Sequence, residues 1–413
     1  MNIIADFHIH SKYSRATSKD LTLENLEKYA RIKGIDLLGT GDFTHPLWFK
    51  ELKQNLLEDS SGILKSKTDF KFFLQTEISL IYTQDNKGRR IHYLILAPSL
   101  DVVRQINEFL AKKGRLDYDG RPIFGFTSIE LVEEMNKISQ DIEIIPAHAW
   151  TPWFSVFGSM SGFDSLEECF KEKTKYIHAI ETGMSSDPAM NWRLSKLDNI
   201  TLVSNSDCHS FWPWRIGREV NVFDFKDLTY KNIINAIRTK KGFVETIEVD
   251  PAYGKYHFDG HRNCNVVMPP KEARKLNNIC PKCNSLLTIG VAHRIEDLAD
   301  RPEGFTPKNI IPFKTLIPLS EILSKVLNYA MFTKKVWIEY NKLIEAFKSE
   351  FNILLNAKFE DLKKVTSEKI AENIIKNREG KLKVKEGYDG VYGELILNNK
   401  DYAKKSQKSL TEF

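Results

Sequence analysis

The sequence predicts an α/β protein: residues 1–245 form a barrel of largely parallel strands, followed by a small cysteine-bearing module and a helical region. Three observations predict it. Short β-rich runs alternate with helix-length segments, the runs are almost continuously apolar, as in strands buried on both faces, and polar residues gather where those runs end.

The first strand is "NIIADFHIH", and the helix after it is "TLENLEKYARIKG", with Leu23, Leu26 and Ala30 at helical spacing and Gly34 as its stop. The runs "IDLLGTGD", "FKFFLQTEISLIY", "RIHYLILAP", "IEIIPAHAW", "IHAIETG" and "ITLVSNSDCH" read as further strands, separated in places by helix-length segments at 101–113, 127–138 and 188–197. His8, His10, Asp42, Glu77, His148, Glu181, Asp207 and His209 each follow an apolar run, the end at which a parallel barrel carries its chemistry. His92 is the exception, near the start of its run. Residues 250–305 form a loop-like module. Residues 310–385 form a helical basic module, in which "PLSEILSKVLNYAMF" and "KKVWIEYNKLIEAFKSEFNILL" carry apolar residues at i, i+3 and i+4 and Ser320 is a cap. Residues 386–413 are a C-terminal tail.

With 413 residues, 42% hydrophobic and 28% charged, the chain has material for one large core and one or two modules. It has neither a secretory leader pattern nor a run of about 18 uncharged apolar residues, so the expectation is a soluble, cytoplasmic protein with no membrane partner. Five cysteines, two of them as Cys280-x-x-Cys283, favour a metal or redox role over a disulfide framework. The net charge of +5 is matched by the stretch 363–385 alone, with eight Lys/Arg against three Glu. That stretch is either a solvated helix face or a set of contacts to nucleic acid phosphates.

His8 and His10, at i and i+2 of a strand, project to one side and suit two ligands of one ion. Two core histidines bonded to carbonyls are the plainer reading. It weakens because so many polar groups converging on a barrel mouth are costly to bury without a cation. Farther on, His261-x2-Cys264-x15-Cys280-x2-Cys283 has the two-knuckle spacing of a zinc ribbon, with His257 as the alternative fourth ligand. Cys169 and Cys208 read as plain buried thiols. Trp150, Trp153, Phe154, Trp212 and Trp214 lie on loops directly after metal-ligand strands, where exposed rings would stack on an unpaired base; otherwise they are core.

The motifs "DFHIHSKYS", "GTGDFTH", the Glu of "TEIS", the His of "IHYLILA", "PAHAW" and "SNSDCHS" resemble those of the polymerase and histidinol phosphatase superfamily. The resemblance implies a distorted (β/α)7 barrel with two or three divalent ions, Zn, Mn or Mg. His8, His10, Glu77 and Asp207 would hold the first ion. Glu77 would bridge to a second, bound by His92 and His148, while Asp42 and His209 would belong to a third. His8, His10, Glu77, His148 and Asp207 are then the catalytic set. The chain departs from the pattern where Asp42 replaces a histidine and where Arg15 stands in "YSRATS"; Arg15 either holds a substrate phosphate or makes a surface salt bridge. Ions so bound would activate water and clamp phosphoryl oxygens, which makes phosphate ester hydrolysis the expected chemistry.

The barrel motifs together with "HRNC", "CPKC" and "TIGVAHRIEDLADRPEGF" resemble the endonuclease Q family over essentially the whole chain. That resemblance implies cleavage of DNA 5′ of deaminated bases (uracil, hypoxanthine, xanthine) and of abasic sites, with base flipping, leaving a 3′-hydroxyl and a 5′-phosphate. The alternatives are a phosphomonoesterase of the same superfamily or another structure-specific nuclease. Finally, Gln407, Leu410 and Phe413 have the spacing of a sliding-clamp binding peptide, against an unstructured terminus as the plain alternative.

Overall fold

A computed structural model describes residues 2–397. The clamp-like positions Gln407, Leu410 and Phe413 lie outside the described residues. The α/β class holds, and the strands divide among several sheets. The largest runs in the order Phe313–Thr315, Phe243–Glu248, Val220–Asp224, Asn2–Asp6, Leu37–Gly39, Lys71–Phe73, Leu64–Lys65, Leu57–Glu58. Within it Asn2–Asp6, Leu37–Gly39 and Lys71–Phe73 are parallel, but Val220–Asp224 joins Asn2–Asp6 antiparallel, so the sheet is mixed. A second sheet holds the hairpin Gln75–Gln84/Lys87–Leu96 with Ile123–Phe124 and Glu143–Pro146 at its sides, and Ala179–Glu181 pairs with Thr201–Val203 in a third. Among the described residues the three sheets are separate hydrogen-bonded ladders rather than one closed ring.

Local chemistry explains the elements. Helix Leu23–Lys33 starts at Thr22, whose side chain accepts from the Asn25 N–H, and stops at Gly34 with φ +95°, the left-handed residue its closing hydrogen bonds need. The expected "FKFFLQTEISLIY" strand breaks at Leu74 into Lys71–Phe73 and Gln75–Gln84. The second half turns back as a hairpin, and this reversal explains His92: it reaches the site on the antiparallel partner of the strand that carries Glu77. The 188–197 segment is no full helix, only the turns Pro188–Asn191 and Ser195–Leu197.

The C-terminal helices are Leu319–Leu327, Lys334–Phe347, Glu350–Leu355, Phe359–Val365 and Glu368–Arg378. Ser320 lies inside the first of these, one residue past the start, and Pro318 occupies the cap. One apolar cluster runs unbroken from Ile9 and Leu26 to Leu323, Tyr340 and Ile374, so the helices share their core with the strand domain. The basic stretch is partly spent internally: Lys363, Lys364 and Lys381 pair with Glu368, Asp361 and Glu379, and Arg378 donates to the carbonyls of Ile353, Leu354 and Ala357. The expected boundary at 386 falls inside a hairpin, Lys383–Lys385 with Glu394–Ile396, that packs back on the chain. Among the described residues no helix is long and apolar enough to cross a membrane.

Candidate metal centre

Past Asp6 the first strand continues extended, and Ile9 bridges to Cys208 while the His10 N–H donates to the Cys208 carbonyl at 3.3 Å. This brings the 8–10 segment alongside Asp207. Asp6 pins the junction: one oxygen accepts the Ser206 N–H at 3.1 Å and the other the Gly217 N–H at 3.0 Å.

The imidazoles of His8 and His10 share one arrangement. Each turns Nδ1 to a buried carboxylate and leaves Nε2 facing Glu77 and Asp207. His8 Nδ1 lies 3.0 Å from both oxygens of Glu181, and His10 Nδ1 lies 3.1 Å from Asp42 Oδ1. Their Nε2 atoms stand 3.4 and 3.2 Å from Asp207 Oδ1, and His8 Nε2 is buried without a hydrogen-bond partner. Carboxylates behind ligand imidazoles fix the tautomer and aim the free nitrogen. In Glu77 the two oxygens serve different partners. Oε2 faces His8 and His10 at 3.6 and 3.3 Å, and Oε1 faces His92 and His148 at 2.9 and 3.2 Å.

Two sets of donor atoms, His8/His10/Glu77/Asp207 and Glu77/His92/His148, thus each gather within 4.8 Å and share Glu77. Burial would raise the Glu77 carboxyl, but His92, Arg121 and His8 hold it well below the usual range. Burial likewise opposes Asp207, whose neighbours His8, His209 and His10 pull its carboxyl well below normal. His92 is pushed down to about 4, chiefly by burial, so it presents a neutral nitrogen.

The positions expected for a third ion do not join these sets. Asp42 is already committed: besides His10, its Oδ2 accepts the Ser11 N–H at 2.6 Å and the Ser11 and Ser14 hydroxyls at 2.7 and 2.9 Å. A Cβ at Gly120 would stand 2.3 Å from Asp42 Oδ2, so only glycine fits against it. Asp42 therefore orients His10. His209 turns Nδ1 to the Asp207 carbonyl at 3.0 Å and lays its ring 4.6 Å from that of His10. Asp42, His148 and Asp207 all hold φ between +31° and +46°, a conformation side-chain-bearing residues adopt rarely and mostly where the surroundings enforce it.

A cavity of about 790 Å³ opens over the centre. Trp153 and Phe154 line it, whereas the other aromatic and basic candidates go elsewhere. Trp150 is 1% exposed and donates to Asn191 Oδ1 at 2.8 Å, a core role. Trp212 and Trp214 stack on each other at 5.3 Å and against Trp337, lining a separate cleft by the helical region. Arg15 points to Asp119 at 3.5 Å and lies outside the cavity lining. Sequence reading passed over Arg121, 3.0 Å from Glu77 Oε2 and outside any quoted motif, and Asn205, which donates to Glu181 and accepts the Phe7 N–H from within "SNSDCHS", where Asp207 and His209 drew the reading.

His261, Cys264, Cys280 and Cys283 gather into a third group within 4.8 Å, with His261 Nδ1 3.2 Å from Cys283 Sγ. His257 instead lies against Phe258, outside this group. The "GVAHR" motif ties the module down. His293 Nδ1 lies 2.6 Å from Asp259, and Arg294 donates to the carbonyls of Phe157 and Phe163 in the loop that follows His148. Cys169 and Cys208 are buried free thiols, as expected.

A family model described as the MJ0043 C-terminal domain matches residues 318–381. An uncharacterized protein of Methanocaldococcus jannaschii is 33% identical over 253 residues, 60% of this chain and 31% of its own length, so the chain spans about a third of that relative. The YqxK protein of Bacillus subtilis is 29% identical over 95% of this chain and 99% of its own. Among solved structures, the lesion-specific endonuclease of Pyrococcus furiosus superposes with a TM-score of 0.87 at 32% identity over the whole of both chains. An endonuclease Q complexed with a 27-mer duplex carrying an abasic lesion at its active site superposes with a TM-score of 0.87 at 34% identity, over 97% of this chain and 98% of that one. With whole-chain identity above 30% to both structures, this chain belongs to the endonuclease Q family.

Proposed function

We propose that this chain is a metal-dependent DNA repair endonuclease that hydrolyses the phosphodiester 5′ of deaminated bases (uracil, hypoxanthine and xanthine) and of abasic sites, with the damaged nucleotide flipped from the stack. The observation that carries the reading is Glu77, whose two oxygens divide between two imidazole pairs under a cavity of about 790 Å³. In this reading His8, His10, Glu77 and Asp207 hold one divalent ion and Glu77, His92 and His148 a second. The unpartnered, buried His8 Nε2 fits that role, and the imidazole and carboxylate donors suit Zn or Mn and accept Mg. Ions bound there supply a water acidified towards neutrality and positive charge for phosphoryl oxygens.

The chain's own residues do the rest. Glu181 and Asp42 fix the His8 and His10 rings, Arg121 offsets charge on Glu77, and Trp153 and Phe154 offer faces on which an extruded base stacks. Extrusion costs a few kcal/mol and least for a lesion, which itself favours damaged sites. His261, Cys264, Cys280 and Cys283 hold a structural zinc in this reading, and Arg294 carries its rigidity to the loop after His148. The sheets are read as an opened, distorted (β/α)7 barrel. The sequence of Gln407, Leu410 and Phe413 is read as a sliding-clamp tether; a chain ending at Ser406 should lose binding to the clamp of the same organism in calorimetry.

The deciding experiment uses end-labelled duplex with one uracil, hypoxanthine, xanthine or abasic site, alongside undamaged duplex and a small phosphate monoester. The expected result is one cut 5′ of each lesion, abolished by chelator. Phosphate release from the monoester with no cutting of DNA would overturn the proposal.

A further inference from the structure

One wall of the metal cavity is built from cations that the centre itself does not use. Arg215, Arg218 and Lys255 line it, together with Tyr392 from the C-terminal hairpin. Arg218 is only 9% exposed, and its Nε donates to the Ser206 carbonyl at 3.0 Å, which leaves the Nη groups to the cavity. The Arg215 guanidinium stands 5.7 Å and the Lys255 ammonium 5.9 Å from the Tyr392 ring centre. Among the described residues none of the three cations forms an ion pair, unlike most arginines of this chain. Asp207, Glu219 and Glu321 act on the arginines only at longer range.

Two further observations show how strongly positive this wall is. The Tyr392 phenol is pulled below its ordinary range despite burial, by Arg218, Arg215 and Lys255. Glu321, which shares a neighbouring cavity of about 160 Å³ with both arginines, has its carboxyl pushed up to about 7 by burial, so it neutralises them incompletely. Clustered cations without carboxylate partners are costly to maintain unless an anion completes them.

We propose that Arg215, Arg218 and Lys255 form an anion site that takes one backbone phosphate of the DNA strand, beside the phosphodiester that is cut. Arginine's planar fork fits two phosphate oxygens, and a partly desolvated guanidinium strengthens each bond. The site opens into the same cavity as Asp207, His92 and His148, so a strand lying over the centre reaches both. Its role is to set the register of the strand, since phosphate contacts position without reading sequence. This inference rests on the endonuclease reading above.

The test couples the protein to single phosphates. Binding of the full-length protein to lesion duplex is measured by fluorescence anisotropy in chelator, with a neutral methylphosphonate placed at each phosphate around the lesion in turn. We expect one position to weaken wild-type binding about tenfold. Arg215→Ala should weaken binding to unmodified duplex by a similar factor, yet lose nothing more at that position. Its slope of log Kd against log salt should fall by about 0.9, one phosphate contact. Lys255→Met gives a second reading on a side chain near the surface, and Arg215→Lys should restore part of the affinity; melting curves confirm folding. Additive losses at every position, or an unchanged salt slope in both variants, would overturn the anion site while lesion cutting by the wild type continued. Wild-type protein that neither binds nor cuts lesion DNA would overturn the endonuclease reading and this inference with it.

Discussion

Lys33 and Glu350, 317 residues apart, form a 2.7 Å ion pair whose side chains are 1% and 0% exposed. The lysine also donates to the Pro213 carbonyl at 2.7 Å, while Glu350 accepts the Leu319 N–H and the Tyr340 hydroxyl. The pair fastens the first helix, the loop after His209 and the C-terminal helices at one buried point. Breaking a buried pair from one side strands a charge, at roughly 3–5 kcal/mol. Glu350→Ala should cost about that much in urea unfolding. The double variant Lys33→Met/Glu350→Leu should be less destabilised than either single change, because it leaves no unpaired charge.

Asp42 and Asp207 flank the His10 ring, at Nδ1 and Nε2, and the proposed function gives them different roles. Asp207→Ala removes a proposed ligand and should abolish cutting while DNA affinity, carried mainly by Lys and Arg, stays near wild type. Asp42→Ala frees the His10 ring and leaves the Ser11 N–H and the Ser11 and Ser14 hydroxyls without their acceptor, and should lower activity about 10–100-fold while the ions stay bound. Metal content by elemental analysis, read beside cleavage rates, separates the two. Equal and small effects would remove the centre as the catalytic site.

Glu219 and Glu248 form a buried carboxyl pair behind the centre. Ser204 donates to both, Thr182 and Thr246 donate to Glu248, and Asp187 and Arg218 act on the pair from its surroundings. Burial pushes Glu248 up to about 7 from 4.5, so the folded state holds a proton that the unfolded chain releases. Its contribution is complete below about pH 4.5 and is lost as pH rises through 7, a decline of about 3 kcal/mol. Glu248→Gln keeps the donor shape without the titration. Denaturant unfolding between pH 5 and pH 8 should show a shallower decline in that variant than in the wild type.

Cys280→Ser should lower zinc stoichiometry and unfold residues 259–287 first, because the buried cluster there is only Val266, Met268, Ala273, Cys280 and Leu287. Since Arg294 joins this module to the loop after His148, the variant should also cut more slowly with its catalytic ions still bound. Hydrogen exchange at Phe157 and Phe163 reads the linkage directly. Unchanged zinc and unchanged exchange would make the cysteines ordinary thiols.

Much of the centre was legible because ligand chemistry leaves a signature in residue type and position: a histidine pair at i, i+2 and acidic or imidazole residues at the ends of apolar runs. Asp42 satisfied the same rule, yet its oxygens are taken up by His10, Ser11 and Ser14 and it stands outside both donor sets. A carboxylate that binds an ion and one that braces an imidazole look alike in sequence, and only the hydroxyls of Ser11 and Ser14 crowding Oδ2 tell them apart. The aromatic loops were harder. Trp150 and Trp153 are three residues apart, yet one is core and the other lines the cavity, because the chain turns around them, with His148 at φ +31° just before and Phe154 at φ +60° just after. Strand direction was also hidden. Apolar continuity reports burial on both faces, and an antiparallel strand such as Lys87–Leu96, with its run Tyr93 to Leu96, satisfies it as well as a parallel one. Arg121, Arg215 and Arg218 left no trace, since isolated arginines outside a pattern read as surface.

The hairpin that brings Tyr392 to the cavity has a consequence for the order in which this protein is made. The proposed catalytic ligands begin at His8 and end at Asp207, so a growing chain has emitted them all before the segment that carries Tyr392 appears. The strand Asn2–Asp6 waits for Val220–Asp224 to flank it, and the cationic wall waits longer, until Lys383–Lys385 and Glu394–Ile396 pair and set Tyr392 beside Arg215. Translation thus separates two events in time. The nascent chain presents donors for the catalytic ions early, and the seat for a nucleic acid strand is finished only once the later hairpin has formed.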